Sequence, residues 1–205
     1  MEFRKNEYIC CQIIELSMKK TLLIASMLFL SAMGMKAQEI LQSDIDKHKQ
    51  MTAETVYIQN GEKAVEIEVA KYTGGKLRLS DYRGKVIHIC FWASWCGPCL
   101  QELQQEHLPS ILAPYQKKSD YVIVPIALEK KESLDKFFAS RKGQEYLWLK
   151  DMTGYDPQRV EFNKYAKSHI PRTVIIDRDG KVVETTIGGN AYEMDLIKNA
   201  LKKLF

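Results

Sequence analysis

Two long apolar runs predict strands that are buried on both faces of a sheet. Residues 85–92 (KVIHICFW) and 121–128 (YVIVPIAL) are almost continuously apolar and rich in β-branched and aromatic side chains. A shorter run at 173–176 is followed by a turn sequence at 177–180 and by a fourth strand at 181–187. The run at 85–92 is the best candidate for the central strand.

A hairpin is predicted ahead of these strands. Between residues 64 and 69 apolar and acidic residues alternate, which is the period of a half-buried strand. The pair Gly74-Gly75 then favours a turn, and residues 76–79 supply the returning strand.

Helical spacing of apolar residues appears in the segments between and after the strands. The segments are 100–115, 134–141, 157–167 and 194–204, with a polar segment at 38–53 that is also compatible with helix. Pro109 and Pro114 are expected to kink or end the first of these helices. Because helices alternate with strands and the chain closes with a hairpin and a helix, the pattern predicts an α/β fold with a mixed sheet.

The amino-terminal part has the pattern of an export signal. Met18 and two lysines precede the apolar segment 22–34, which is too short for a spanning helix. Cleavage is expected after Gly34 or Ala37, and the polar segment before Met18 suggests that Met18 is the true start. A longer polar leader or an uncleaved membrane anchor is the alternative. The predicted organisation is therefore 1–37 for export, 38–63 as a lead-in, and 64–205 as the folded domain.

Composition and charge narrow the classes of partner. The chain has 205 residues and a formal net charge of +4, without a cluster of lysines and arginines. A nucleic-acid partner is therefore not expected. The five cysteines are also too few for a disulfide scaffold.

Cys96 and Cys99 carry the candidate chemistry. The sequence Cys-Gly-Pro-Cys follows a buried strand and begins a helix, which places Cys96 where helix N–H groups and the dipole favour a thiolate. Cys99, one turn later, can resolve a mixed disulfide formed by Cys96. Pro98 suits the first turn of the helix.

Metal sites are the other common use of this spacing. A zinc site needs two further ligands, but there is no second such pair and the four histidines have no ligand spacing. Covalent haem attachment needs a histidine after the second cysteine, where this chain has Leu100. The pattern favours redox chemistry without a cofactor.

Three segments resemble one known family. Residues 91–99 (FWASWCGPC) resemble the active-site strand and loop of the thioredoxin superfamily. Residues 75–85 and 170–181 resemble its TlpA/ResA-like exported branch, so that the resemblance covers about 64–205. It implies a thioredoxin-like α/β fold: a mixed central sheet flanked by helices, with an amino-terminal β-hairpin extension.

The resemblance also implies roles for residues outside the cysteine pair. Pro171 corresponds to the cis proline that faces the active-site disulfide. Thioredoxin has a buried aspartate where this chain has Cys90, which we interpret as a small buried apolar residue. Glu129, after the second long strand, is the candidate for proton transfer, with Glu132 as the alternative. The predicted substrate contacts are Trp95, Gly97, Pro98 and Ile170.

The predicted function is that of an exported, periplasmic thiol-disulfide oxidoreductase. A Gly-Pro pair between the cysteines occurs in thioredoxin, at about −270 mV, which favours reduction of protein disulfides. The resemblance implies a transmembrane thiol reductase as electron donor, and apocytochrome c or oxidised proteins as acceptors. The alternatives are a Cu(I) carrier that binds through the two thiolates and a peroxide-reducing relative.

Overall fold

The structure, a computed structural model, describes residue 31 and residues 33–205. Most of the predicted export segment, together with the predicted start at Met18, lies outside the described residues. A helix, α1, occupies residues 33–55, where the sequence suggested helix for 38–53. The chain divides after Lys49, and Gln50–Phe205 forms one compact unit. None of the helices in the described part is long and apolar enough to span a membrane.

Seven strands form one mixed sheet. They are β1 (Glu68–Lys71), β2 (Lys76–Arg78), β3 (Val86–Trp92), β4 (Tyr121–Ala127), β5 (Gly154–Tyr155), β6 (Arg172–Ile176) and β7 (Val182–Ile187). Their order in the sheet is β2-β1-β5-β4-β3-β6-β7. Strands β3, β4 and β5 are parallel, whereas the other neighbours are antiparallel.

Strand β3 is central, as its composition predicted. All seven of its residues are buried, and it lies between β4 and β6. A strand with neighbours on both edges and layers on both faces can expose no side chain, which explains its apolar sequence. The two strands β1 and β2 form the predicted hairpin at one edge of the sheet.

Within residues 56–205, six further helices lie between and after the strands, with two short 3-10 turns at Leu79–Tyr82 and Gly143–Tyr146. They are α2 (Gly97–Glu102), α3 (Leu108–Leu112), α4 (Lys131–Ala139), α5 (Leu147–Lys150), α6 (Phe162–Tyr165) and α7 (Ala191–Leu204). Buried residues of α2, α3, α4 and α7 pack on one face of the sheet. Helix α6 packs on the other face, so that the sheet is covered on both sides.

Three predicted elements differ from the structure. Strand β1 spans Glu68–Lys71 rather than 64–69. The expected helix at 100–115 is two short helices, because Pro109 lies in the first turn of α3, where a missing N–H costs nothing. In the segment 157–167 only α6 is an α-helix. The carboxylate of Asp156 accepts the backbone N–H groups of residues 160–162, and Arg159 has a left-handed φ of 58°, so the helix does not begin earlier.

Strand β4 has a proline on its less-paired edge. The N–H of Leu128 donates to Trp92 O and Ala127 O accepts from Asp156, so odd-numbered residues of β4 direct their backbone groups away from β3. Pro125 is one of these residues, and its lack of an N–H therefore interrupts no bond to β3. Of the residues of β4, Ile126 and Ala127 pair with β5, which leaves the first part of this edge outside the ladder.

Candidate active site

Cys96 and Cys99 form a disulfide at the start of α2. Their Cα atoms are 5.2 Å apart. Cys96 is the N-cap residue, and its sulfur accepts the backbone N–H of Cys99 at 3.2 Å. An N–H directed at this sulfur stabilises a negative charge on it when the bond is reduced. The backbone turns here because Pro98 occupies the first turn of the helix.

The two sulfurs differ in access to solvent. Cys96 is 6% exposed and Cys99 is fully buried. Around Cys96 the residues Trp95, Gly97 and Pro98 are exposed, and Trp95 is 62% exposed. The geometry therefore allows an incoming sulfur to reach Cys96 before Cys99.

A loop that ends at Pro171 faces the disulfide. The Ile170–Pro171 peptide bond is cis, as the resemblance implied. The carbonyl oxygen of Ile170 lies 3.8 Å from the sulfur of Cys96. Pro171 is buried, and its own carbonyl accepts the N–H of Gly188 at 2.9 Å. The start of α2 and the segment just before β6 are thus brought together.

Glu129 lies directly after β4 and is buried. Its carboxylate accepts the backbone N–H of Ser94 at 2.5 Å and the Ser94 hydroxyl at 2.9 Å. Ser94 is two residues before Cys96. Through these two hydrogen bonds Glu129 therefore holds the loop that precedes the disulfide. Glu132, the sequence-based alternative, is exposed in the first turn of α4.

Glu102 is the residue that sequence reasoning missed. It is the last residue of α2, three positions after Cys99, and it is 2% exposed. Burial, and then the nearby charge of Glu193, raise the pKa of Glu102 to about 8, although the hydrogen bond from Thr173 opposes the shift. The Thr173 hydroxyl is 3.5 Å from Oε1. The signal available in the sequence was the spacing of three residues between Cys99 and Glu102, which places both on the same side of a helix.

Cys90 lies in β3 and is buried, as predicted. Its sulfur is 3.8 Å from the hydroxyl of Thr173. Burial and the charge of Glu102 raise the pKa of the Cys90 thiol, and the Thr173 contact lowers it. A thiol held in its neutral form is a poor nucleophile, so Cys90 is not suited to attack a disulfide.

The described residues contain no group of three or more His, Cys, Asp or Glu side chains arranged to hold a metal ion. A sulfur at a helix start among exposed residues, a fully buried second sulfur and a facing carbonyl together support thiol-disulfide exchange.

Comparison with known proteins agrees with this chemistry. Residues 60–185 match the AhpC/TSA family. The thiol-disulfide oxidoreductase ResA of Geobacillus thermodenitrificans is 30% identical over 128 residues, which cover 62% of this chain and 69% of the relative. ResA of Bacillus anthracis is 29% identical over 147 residues, covering 72% and 79%.

Solved structures show the same fold. A proposed protein disulfide isomerase from Bacteroides thetaiotaomicron has 28% identity and a TM-score of 0.63, covering 73% of this chain and 92% of its own. A proposed thiol:disulfide interchange protein DsbE from Chlorobium tepidum has 26% identity and a TM-score of 0.60, covering 72% and 98%. The chain therefore belongs to the AhpC/TSA family, has a thioredoxin-like fold and is a thiol-disulfide oxidoreductase of the ResA and DsbE type.

Proposed function

We propose that this oxidoreductase is an exported reductase of periplasmic protein disulfides that works through Cys96 and Cys99. The observation that carries the proposal is the contrast between the two sulfurs. Cys96 is 6% exposed, lies among exposed residues and accepts a helix N–H, whereas Cys99 is fully buried one turn later. One sulfur is placed to attack a substrate and the other to attack the mixed disulfide that results.

The reaction has two exchange steps. The Cys96 thiolate attacks one sulfur of the substrate disulfide, forms a mixed disulfide and releases the first substrate thiolate. The Cys99 thiol then loses its proton and attacks the Cys96 sulfur, which releases the second substrate thiolate and restores the Cys96–Cys99 bond. Two electrons pass from the protein to the substrate. The Cys99 proton passes to a base in the protein, and the two substrate thiolates take protons from the solvent according to pH. A transmembrane thiol reductase supplies the two electrons again in the next cycle.

Glu102 is the group that we assign to the proton of Cys99. The two residues lie three positions apart on α2 and both are buried. A carboxyl group with a pKa of about 8 exchanges protons with a thiol more easily than a carboxyl group with an ordinary pKa. Glu129, the earlier candidate, acts through Ser94 and is a positioning residue in this proposal.

The substrate contacts in this proposal are the four residues around Cys96. They are Trp95, Gly97, Pro98 and Ile170. The Ile170 carbonyl can accept an N–H from an extended substrate chain, in the manner of strand addition. Apocytochrome c is the first substrate to assay, since cytochrome c maturation is what the resemblance suggested.

A trapping experiment tests the assignment of the two cysteines. Cys99→Ser removes the resolving sulfur, so substrates should stay attached to Cys96 and appear on a non-reducing gel. Cys96→Ser is the matched control and should trap nothing. Equal trapping by the two variants, or trapping by neither, would contradict the exchange mechanism.

Export is tested separately on the mature protein. Mass spectrometry of the purified protein should find an amino terminus shortly after Gly34 or Ala37. A cytosolic product that still begins at Met1 would contradict both the export proposal and the proposed start at Met18.

A further inference from the structure

Arg172 is a buried cation next to the active-site loop. It follows cis-Pro171, is 1% exposed, and donates from Nη2 to the Thr55 hydroxyl and to Ser168 O, each at 2.9 Å. Its Nε and Nη1 atoms have no hydrogen-bond partner within residues 33–205. Burial lowers the pKa of Arg172 to about 10, with Glu193 opposing the shift, so the side chain stays charged at neutral pH.

The backbone carbonyl of Ser168, which accepts a hydrogen bond from Arg172, is close in sequence to the residue that faces the redox centre. Ser168 is two residues before Ile170, whose carbonyl oxygen lies 3.8 Å from the Cys96 sulfur. Between them His169 has a φ of 68°, in the left-handed region that residues with a side chain rarely adopt. Such a conformation persists only where neighbouring contacts impose it.

The segment that leads into the loop, residues 165–167, is also held by backbone hydrogen bonds. Residues 55–57 run beside residues 165–167: Thr55 O accepts the Lys167 N–H at 2.7 Å, and Tyr57 N–H donates to Tyr165 O at 2.8 Å. Thr55 is thus bonded to both sides of the loop, through its carbonyl to Lys167 and through its hydroxyl to Arg172. The last residue of α1 joins the two segments that carry the loop.

We infer that Thr55 and Arg172 are positioning residues that hold the Ile170 carbonyl in place for the backbone of a polypeptide substrate. The inference rests on the proposed function, because it assigns to this loop the binding of extended substrate chains. The end of α1 then supports the loop from outside the substrate-binding site, through the bond from Arg172 to the Thr55 hydroxyl.

Substrate size separates this role from general support of the fold. A peptide disulfide needs the Ile170 carbonyl as a hydrogen-bond acceptor, whereas a small aromatic disulfide needs only access to the Cys96 sulfur. Loosening the loop should therefore slow exchange with peptides and leave exchange with small disulfides unchanged. A change that damages the disulfide or α2 would slow both.

Thr55→Val and Thr55→Ser form the matched pair for the test. Valine keeps the shape but removes the acceptor for Arg172, whereas serine keeps the hydroxyl. Using the reduced full-length protein, the rate constants for a peptide with one disulfide and for 5,5′-dithiobis(2-nitrobenzoate) would be measured. For Thr55→Val we expect a loss of about tenfold with the peptide, the size of one charge-assisted hydrogen bond, and less than about twofold with the small disulfide. Thr55→Ser should retain the wild-type rates.

Amide hydrogen exchange gives a readout that does not depend on activity. The Gly188 N–H, which donates to Pro171 O, should exchange faster in Thr55→Val than in Thr55→Ser. Equal peptide rates in the two variants, or equal losses with both disulfides, would overturn the inference while the proposed function stands. If the wild type reduces neither disulfide, the proposed function fails, and the inference fails with it.

Discussion

Two buried glutamates flank the redox centre, and their surroundings are opposite. Glu129 lies after β4, and both of its carboxylate oxygens accept hydrogen bonds from Ser94. Glu102 lies at the end of α2, where Thr173 contacts one oxygen at 3.5 Å and the other has no hydrogen-bond partner in the described part of the chain. The two residues are similarly buried: Glu129 is 7% exposed and Glu102 is 2% exposed.

The difference shows that donors decide what a buried carboxyl group does. A carboxylate that accepts two hydrogen bonds is held in one position and ties together the segments that supply the donors. A carboxyl group without such donors binds a proton more strongly, because only the neutral form tolerates burial. The first is suited to hold a loop, and the second to carry a proton beside a reacting thiol.

Glu102→Gln should have the largest effect, and its sign depends on pH. The pKa of Glu102 is raised from 4.5 to about 8 in the folded protein, so between these values the folded state binds the extra proton. Wild-type stability therefore falls as pH rises through this range. The glutamine variant cannot lose a proton here, so its free energy of unfolding does not fall with pH in this way. It should exceed that of the wild type by on the order of 4 kcal/mol above pH 8 and should equal it below pH 4. Denaturant unfolding of the oxidised protein at several pH values measures it.

The same variant should be slower in catalysis. An amide cannot accept the Cys99 proton, so the mixed disulfide at Cys96 should persist longer, by about tenfold to a hundredfold at pH 7. Greater stability with lower activity is the combination expected when a buried group is kept for function. Parallel pH profiles of stability in variant and wild type would contradict the role given to Glu102.

Glu129→Gln tests the other half of the comparison. The amide keeps one acceptor for Ser94 but loses the charge, so we expect a loss of unfolding free energy of about 1–3 kcal/mol at pH 7. Denaturant unfolding measures this loss. The control is Glu132→Gln on the exposed start of α4, which should change stability by less than about 0.5 kcal/mol. A Glu129→Gln variant as stable as this control would mean that the Ser94 bonds do not hold the loop.

Ser94→Ala should have the smallest effect. It removes the hydroxyl that donates to Glu129 and keeps the backbone N–H bond, so the expected loss is about 0.5–1.5 kcal/mol. In a Glu129→Gln background the same change should cost less, because the two residues share the interaction. Fully additive losses in that double-mutant cycle would show that they act independently.

The predictions from the sequence succeeded where burial alone decides the residue type. Strands β3 and β4 are covered on both faces and need apolar residues on both. Their apolar runs in the sequence therefore identified them as strands before the neighbouring strands were known. The cysteine pair was predicted from its spacing instead of from burial, and Cys96 and Cys99 form a disulfide in the structure. Strand β5, with two residues, is too short to have a period and was missed.

The burial of Glu102 could not be read from the sequence because a distant segment causes it. Gly189, just before α7, packs on Glu102: a Cβ at this glycine would lie 2.8 Å from the Glu102 Cβ. Only glycine permits this approach, yet the two residues are far apart in the chain. The sequence-based candidate, Glu129, is also buried, and its carboxylate accepts two hydrogen bonds from Ser94.

The proline in β4 bears on how the molecule behaves at high concentration. An open strand edge is a template on which a second molecule can build intermolecular sheet, the first step towards fibres. On the side of β4 that faces away from β3, Pro125 has no N–H and the Tyr121 N–H is already bonded to Lys118 O. Ile123 is then the one donor between residues 121 and 125, so this edge resists self-assembly even though β5 covers so little of it.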